Sequence, residues 1–340
     1  MDRGEGPWRG SANLADAKRR LALYTRRVTT TIAHTTPPKY PDAIASARFA
    51  AHIQQALPVG CRVAILGLAD DLGVRLNRGR PGAKDGPRAF REALSAYGSA
   101  TGDSLDHVRV FDAGDVVPAD GQGEAGLHET HRRVSAATEA LLDLGLFPIA
   151  IGGGHDLTFP FVRAVVEWHR KHRSSAPFAG VYFDAHLDVR ESVGSGMPLR
   201  RIIEWCGVRE LHNYGYSPLV NSREHAQWFK QHGGVTHAHE ERGISLRRLP
   251  NQPMFASFDL DVIDMAFAPG VSAMNPAGWT PRHAEHAVMA LGRDFRVKCF
   301  DLMELCPAHD DNARTARLAA HLFLSFLRGY AERPAEVGVS

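Results

Sequence analysis

The sequence predicts a single α/β domain built on a mainly parallel sheet. Two observations carry that expectation. Short apolar runs of strand type alternate with helical patterns along most of the chain. No linker-like stretch and no internal repeat divides them. Composition agrees: over 340 residues, 44% are hydrophobic and 23% charged, values of an ordinary globular protein with enough chain to bury a sizeable core.

The strand-like runs lie at residues 62–69, 108–116, 146–151, 178–183, 210–216, 235–238, 253–262 and 297–305. Helical patterns fall between most of them, at 87–97, 128–144, 157–172, 198–206, 223–231, 281–291 and 316–330. The clearest is 128–144, where Val134, Ala137, Leu141 and Leu144 form one apolar stripe and Gly145 supplies the stop. Ahead of these elements, residues 1–40 read as a basic arm carrying Lys18, Arg19, Arg20, Arg26 and Arg27, with an amphipathic helix expected over 14–28. The arm has no apolar core of the kind a secretory signal needs. The domain is expected over 41–331, and 332–340, with Pro334 and small residues, as a flexible tail.

Several function classes are disfavoured at once. Forty basic and 38 acidic residues leave a net charge of +2, with no basic field to attract nucleic acid. Mean hydropathy is −0.24, and no run of apolar residues is long enough to span a membrane. Cys61, Cys206, Cys299 and Cys306 form no C-x-x-C pair, so neither a disulfide framework nor a zinc knuckle is expected. Four reduced thiols suit a cytoplasmic protein.

Three strand ends carry ligand-type side chains: Gly152-Gly153-Gly154-His155, Asp184-Ala185-His186-Leu187-Asp188 and Asp259-Leu260-Asp261. In an extended chain, residues two apart face the same side, so each group is expected to project together. In an open parallel sheet, ligands bind beyond the carboxyl ends of the strands, where these groups would converge. Four crowded carboxylates repel and stay ionised only if cations sit among them. Two divalent ions would balance Asp184, Asp188, Asp259 and Asp261, with His155 and His186 as neutral nitrogen donors. An oxygen-rich set without cysteine favours Mn²⁺, with nickel, iron and cobalt as alternatives. Asp264 reads as a turn or supporting residue, and Asp156 as the N-cap of the helix that follows.

These segments resemble the ureohydrolase family of arginases, agmatinases and formimidoylglutamases, over roughly residues 60–330. The resemblance implies a three-layer α/β/α sandwich of about eight mainly parallel strands. It implies that His155, Asp184, His186, Asp188, Asp259 and Asp261 hold two Mn²⁺ ions, and that Glu304 binds the cationic amidine or guanidine of a small-molecule substrate. It also implies a homo-oligomer, a form common in the family. The loops Leu72–Ala83, Gly194–Arg200 and Ala268–Ala273 are similar to the formimidoylglutamase branch. No His lies between Leu187 and Arg201, where arginases and agmatinases place a proton shuttle. Met197 and the stretch from Met274 to Gly278 depart from that branch's usual loops and bear on substrate more than on metal.

The implied substrate is N-formimidoyl-L-glutamate, hydrolysed to L-glutamate and formamide. Asp188 is the expected proton acceptor in place of the absent histidine. The substrate's two carboxylates need donors, and Arg75, Asn77, Arg80, Arg190, Ser195, Arg200 and Asn221 lie in loops expected at the rim. Arg190, two residues past Asp188, is the first choice if the chain stays extended. Competing readings are a guanidino-compound ureohydrolase releasing urea, a one-zinc deacetylase of related fold, and a metal-free homologue.

Overall fold

The structure is a computed structural model, and it describes residues 32–56, 58–98, 105, 108–173, 175–238 and 249–333. The expected helix over 14–28 and residues 334–340 lie outside the described residues. The strands are β1 (Thr35–Thr36), β2 (Val63–Leu68), β3 (Val110–Val116), β4 (Phe147–Gly152), β5 (Ala179–Phe183), β6 (Leu211–Tyr216), β7 (Gly234–Ala238), β8 (Met254–Asp259) and β9 (Val297–Met303). The helices are α1 (Leu72–Leu76), α2 (Gly86–Leu94), α3 (Gly123–Asp143), α4 (Thr158–His172), α5 (Pro198–Cys206), α6 (Arg223–Gln231), α7 (Pro281–Arg293) and α8 (Arg314–Ala331).

They form one nine-stranded sheet in the order β1-β3-β2-β4-β9-β8-β5-β6-β7. All pairings are parallel except β1 with β3. Side chains alternate between two apolar layers, as a strand buried on both faces requires. Val63 and Ile65 join the core under α2, α7 and α8; Ala64, Leu66 and Leu68 join the core under α3, α4 and α5. The result is the expected three-layer α/β/α sandwich.

Local signals explain the helix ends. Ser222 caps α6 by accepting from the His225 N–H, and Thr280 caps α7 by accepting from His283, with Pro281 in the first turn. Gly145, at φ +74°, ends α3 in the left-handed conformation that a stop glycine supplies.

Three features were not anticipated. β1 is only two residues long, too short to show a period, and it is placed by pairing with β3. The last part of the expected arm is therefore joined to the domain, and Tyr40 donates to Asp112 Oδ2 at 2.8 Å. At the other end, Glu332 pairs with Arg293, and Arg333 donates to the Gly292 and Val297 carbonyls, so the first residues of the expected tail are anchored. The one-turn helix α1 was also missed, because five residues hold no readable period.

The topology places the site. After β4 the chain passes over two sheet positions before laying down β5, and β8 and β9 later fill them. The carboxyl ends of β4, β9, β8 and β5 thus lie side by side, and these are the ends that carry the ligand-type groups.

A buried ion network ties α2 to β3. The Arg91 guanidinium, fully buried, donates to both Asp112 oxygens at 2.8 and 2.9 Å and to Asp115 at 2.6 Å. Removing one partner strands the other charge in the interior. Arg91→Ala should lower unfolding stability by about 3–5 kcal/mol, read from a urea transition; an unchanged midpoint would show that the network contributes nothing.

Candidate metal centre

The glycine run after β4 lets the chain pass where a side chain cannot. A Cβ on Gly153 would sit 2.1 Å from the Asp70 carbonyl oxygen. The turn that follows presents His155, nearly fully buried. Its Nδ1 lies 2.9 Å from Asp188 Oδ2, 3.1 Å from Asp259 Oδ2 and 3.2 Å from Asp184 Oδ2. His186 Nδ1 lies 3.0 Å from Asp261 Oδ2 and 3.2 Å from Asp184 Oδ1. Two donor groups result, His155/Asp184/Asp188 and Asp184/His186/Asp261, and they share Asp184. Its two oxygens divide between them, one to each, as a bridging carboxylate would. Asp259 joins the first group through Oδ2.

The structure brings all six side chains together, but not by the extended geometry the spacing suggests. β5 stops at Phe183, one residue before the motif, and Asp188 has φ +48°. After β8, residues Leu260–Val262 form a 3-10 turn. In both motifs the first aspartate folds back on its own chain. Asp184 Oδ1 accepts from the His186 N–H at 2.6 Å, and Asp259 Oδ1 accepts from the Asp261 N–H at 2.8 Å. The two-residue spacing is that of an Asx turn rather than a strand.

The donor set fits divalent metal ions. His155 Nδ1, Asp184 Oδ2 and Asp261 Oδ1 are buried and have no hydrogen-bond partner among the described residues, and the first two lie 3.2 Å apart. His155, Asp184, His186, Asp188, Asp259 and Asp261 would hold such ions. The charges point the same way. Burial, then the Asp261 and Asp188 carboxylates, pushes Asp184 up to about 6. Burial, Asp261 and Asp184 hold Asp259 well above the usual carboxylate range. Burial alone would lower both histidines, yet the surrounding carboxylates raise His155 and His186 far above their ordinary value. Burial would raise Asp261 too, but His186 and His155 lower it; divalent cations would balance such a cluster.

Residues outside the motifs hold this arrangement. His155 Nε2 lies 3.1 Å from Ser257 Oγ, which donates to Asp301 Oδ1 at 2.6 Å. With its proton committed to Asp301, the serine oxygen accepts from Nε2–H, leaving the Nδ1 lone pair free for a ligand. Burial pushes Asp301 up to about 6. Asn213 donates to the His186 carbonyl at 2.7 Å, and the Tyr182 hydroxyl donates to the Leu187 carbonyl at 3.1 Å. Sequence reasoning missed these groups. Ser257 was within reach of it, two residues before Asp259 on the same strand.

Glu304 stands just beyond β9 at φ +65°. Its Oε1 accepts from the His155 N–H at 2.8 Å, while Oε2 is buried and unpartnered. Burial above all pushes its carboxyl up to about 8. A buried carboxylate with one oxygen held and one open is suited to a planar cation.

The rim residues fare unevenly. Arg190 Nη1 donates to Asn77 Oδ1 at 2.7 Å, and Asn77 Nδ2 donates to Ser195 Oγ at 3.2 Å, so these three form one cluster. Arg190 reaches it from a turn, not from an extended chain. Arg80 does not join: its guanidinium donates to the Val271 and Ser272 carbonyls. Asn221 spends its amide on the Ala185 and Ser217 carbonyls and the Leu187 N–H, which shapes the ligand loop instead of facing a substrate. Arg75 pairs with Asp71 and Arg200 with Glu204. Asp156 is not an N-cap. The residue before α4 is Leu157, and the Asp156 carboxylate turns to His131. Asp264 does form a turn, accepting from the Ala266 N–H at 2.8 Å.

Because Ser257 orients a donor from behind, Ser257→Ala should weaken Mn²⁺ binding by about 10–100-fold with the fold intact. Calorimetric titration of metal-free protein measures it; wild-type affinity would remove the serine from this role.

Residues 61–328 match the family model described as Arginase family. The chain is 32% identical to a formimidoylglutamase of Clostridium tetani over 284 residues, 78% of this chain and 81% of that protein. It is 27% identical to an agmatinase of Bacillus subtilis over 265 residues, 74% of this chain and 87% of that one. Among solved structures, Trypanosoma cruzi formiminoglutamase with Mn²⁺ superimposes with a TM-score of 0.75 at 28% identity, covering 84% of this chain and 99% of that one. The chain therefore belongs to the arginase family, and it is a hydrolase acting on the carbon–nitrogen bonds of linear amidines.

Proposed function

We propose that this chain hydrolyses N-formimidoyl-L-glutamate to L-glutamate and formamide, using two Mn²⁺ ions held by His155, Asp184, His186, Asp188, Asp259 and Asp261. The ions supply Lewis acidity that makes water a nucleophile near neutral pH. Glu304 pairs with the amidinium through its open Oε2 and fixes the plane of the reacting carbon. Asp188 takes the proton released by the attacking water and passes it to the leaving nitrogen, which departs as the amine of glutamate.

The observation that carries the choice of substrate is the Arg190–Asn77–Ser195 cluster. It offers a guanidinium, an amide and a hydroxyl on one edge, the donors that a dicarboxylate needs. The absence of a histidine between Leu187 and Arg201 supports the same reading. The Clostridium tetani relative adds weight, being a formimidoylglutamase. Homo-oligomeric assembly and a cytoplasmic setting belong to this proposal too. Among the described residues, no helix is long and apolar enough to cross a membrane. A second reading, hydrolysis of a guanidino compound with release of urea, is favoured by the likeness to an agmatinase.

Proton NMR of products separates the two readings. Mn²⁺-loaded protein is incubated with formimidoylglutamate, agmatine, arginine and guanidino acids in turn. Formamide and glutamate from the first alone are expected; urea from any other moves the substrate while keeping the metal chemistry. Arg190→Ala should raise KM for formimidoylglutamate by about tenfold or more with bound metal unchanged, since it removes one charge-assisted pair. An unmoved KM would put the carboxylate clamp elsewhere.

A further inference from the structure

The metal ligands come from the loops after β4, β5 and β8; the rim cluster takes Arg190 and Ser195 from the β5–α5 loop beyond Asp188, and Asn77 from the end of α1. Beside them lies an Asp–His pair that neither group uses. The Asp156 carboxylate, next to His155 in the chain, faces His131 Nε2 on α3 at 3.0 Å. Both side chains are buried. The second oxygen, Oδ1, is buried and has no hydrogen-bond partner among the described residues.

What Oδ1 touches is backbone. A Cβ on Gly73, in α1, would lie 2.0 Å from it, and a Cβ on Gly154, in the metal-ligand turn, 2.7 Å. The carboxylate is thus wedged between the rim and the metal loop, in a space that only glycine leaves open on both sides. Gly73 is also the anchor of the rim: its carbonyl accepts from the Asn77 and Ser195 backbone N–H groups at 3.0 and 2.9 Å. The same region has its own apolar seat, separate from the two main cores. Leu72 of α1, Leu127 of α3 and Met197 pack together, with Leu76 and Val193 against them. α3 therefore carries both the seat of the rim, through Leu127, and the partner of Asp156, through His131.

We infer that His131 and Asp156 are a positioning pair that locks the rim cluster of Asn77, Ser195 and Arg190 in register with the metal ligand His155. Neither residue touches substrate. Asp156 spaces the two loops, and His131 holds the carboxylate in the one rotamer that fits between Gly73 and Gly154. The inference rests on the rim cluster being the edge that receives the substrate's carboxylates, and it deepens that reading by naming what fixes the distance between the cluster and the reacting carbon.

His131→Phe keeps a ring against Phe159 and removes the nitrogen, while His131→Gln restores an N–H donor at similar reach. Hydrogen exchange by mass spectrometry, in Mn²⁺-loaded protein, follows peptides spanning 72–80 and 190–197. In His131→Phe, both should exchange faster, bound manganese should stay at the wild-type level, and KM for formimidoylglutamate should rise about tenfold with kcat changed much less. His131→Gln should recover both KM and protection. Unchanged exchange and KM in a folded His131→Phe protein would overturn the inference. So would loss of manganese in step with activity, which would make the pair part of the metal scaffold alone. If His131→Phe fails to fold, Gly73→Ala tests the wedge from the rim side. Alanine in a helix normally stabilises it, so faster exchange at 72–80 would support the wedge and slower exchange would overturn it. Wild-type protein that turns over none of the amidines, with exchange responding as described, would sink the substrate reading and leave the positioning pair standing.

Discussion

Like charges forced together in a buried volume are the constraint on which the rest of this structure depends. Asp184, Asp188, Asp259 and Asp261 converge within a few ångströms, three of them almost wholly shielded from water. Burial and the neighbouring carboxylates push the Asp184 and Asp259 carboxyls up, while in Asp261 the two histidines outweigh burial and lower it. Such a cluster is tolerable only as a receptor for positive charge. The buried atoms His155 Nδ1, Asp184 Oδ2 and Asp261 Oδ1, without hydrogen-bond partners among the described residues, express the same fact as geometry.

The fold meets that constraint by placing rigid elements directly behind the donors. Of four strands adjacent in the sheet, β4, β5 and β8 deliver the donor loops and β9 delivers Glu304, so the spacing of these groups follows from the spacing of strands. Within each loop, the aspartates bind their own backbone, which removes rotamer freedom that metal binding would otherwise have to remove. Asp188 and Glu304 hold left-handed backbone conformations that cost energy for residues other than glycine. Both stand where the chemistry is proposed, and both are fixed by neighbours. The Asp188 carbonyl accepts from the Leu199 N–H, and the Glu304 N–H donates to the Gly153 carbonyl.

In the proposed function the six donors would carry the metal chemistry and the rim cluster the choice of substrate, although Arg190 and Ser195 share the β5–α5 loop with Asp184, His186 and Asp188. The donors belong to strand ends packed against both apolar layers. The rim belongs to α1 and the loop before α5, seated on a small apolar cluster of its own. This arrangement would let the rim side chains change while the donors at the strand ends stay. It also creates a need for registry between the two parts, and the buried Asp156 carboxylate lies where that registry would be set.

The sequence by itself determined the alternation of strands and helices, because burial on both faces leaves long apolar strands and one-sided helices that periodicity detects. Strands β2 to β9 and helices α2 to α8 follow expected runs, with small shifts at their ends. It also singled out the six side chains that the structure brings together, since their chemistry is unusual enough to be legible as residue types at strand ends. Tertiary structure decided the rest. β1 exists only by pairing with β3, and α1 is too short to carry a period. The D-x-H-x-D motif converges through turns, because hydrogen bonds to the first aspartate and a left-handed Asp188 replace the extended chain its spacing suggests. Arg190, Arg80 and Asn221 are indistinguishable as polar loop residues. Only the packed loops show that Arg190 reaches the rim cluster, while Arg80 and Asn221 spend their donors on backbone carbonyls. His131 and Asp156 are separated by the rest of α3 and the whole of β4, so nothing in their sequence context could announce that they meet.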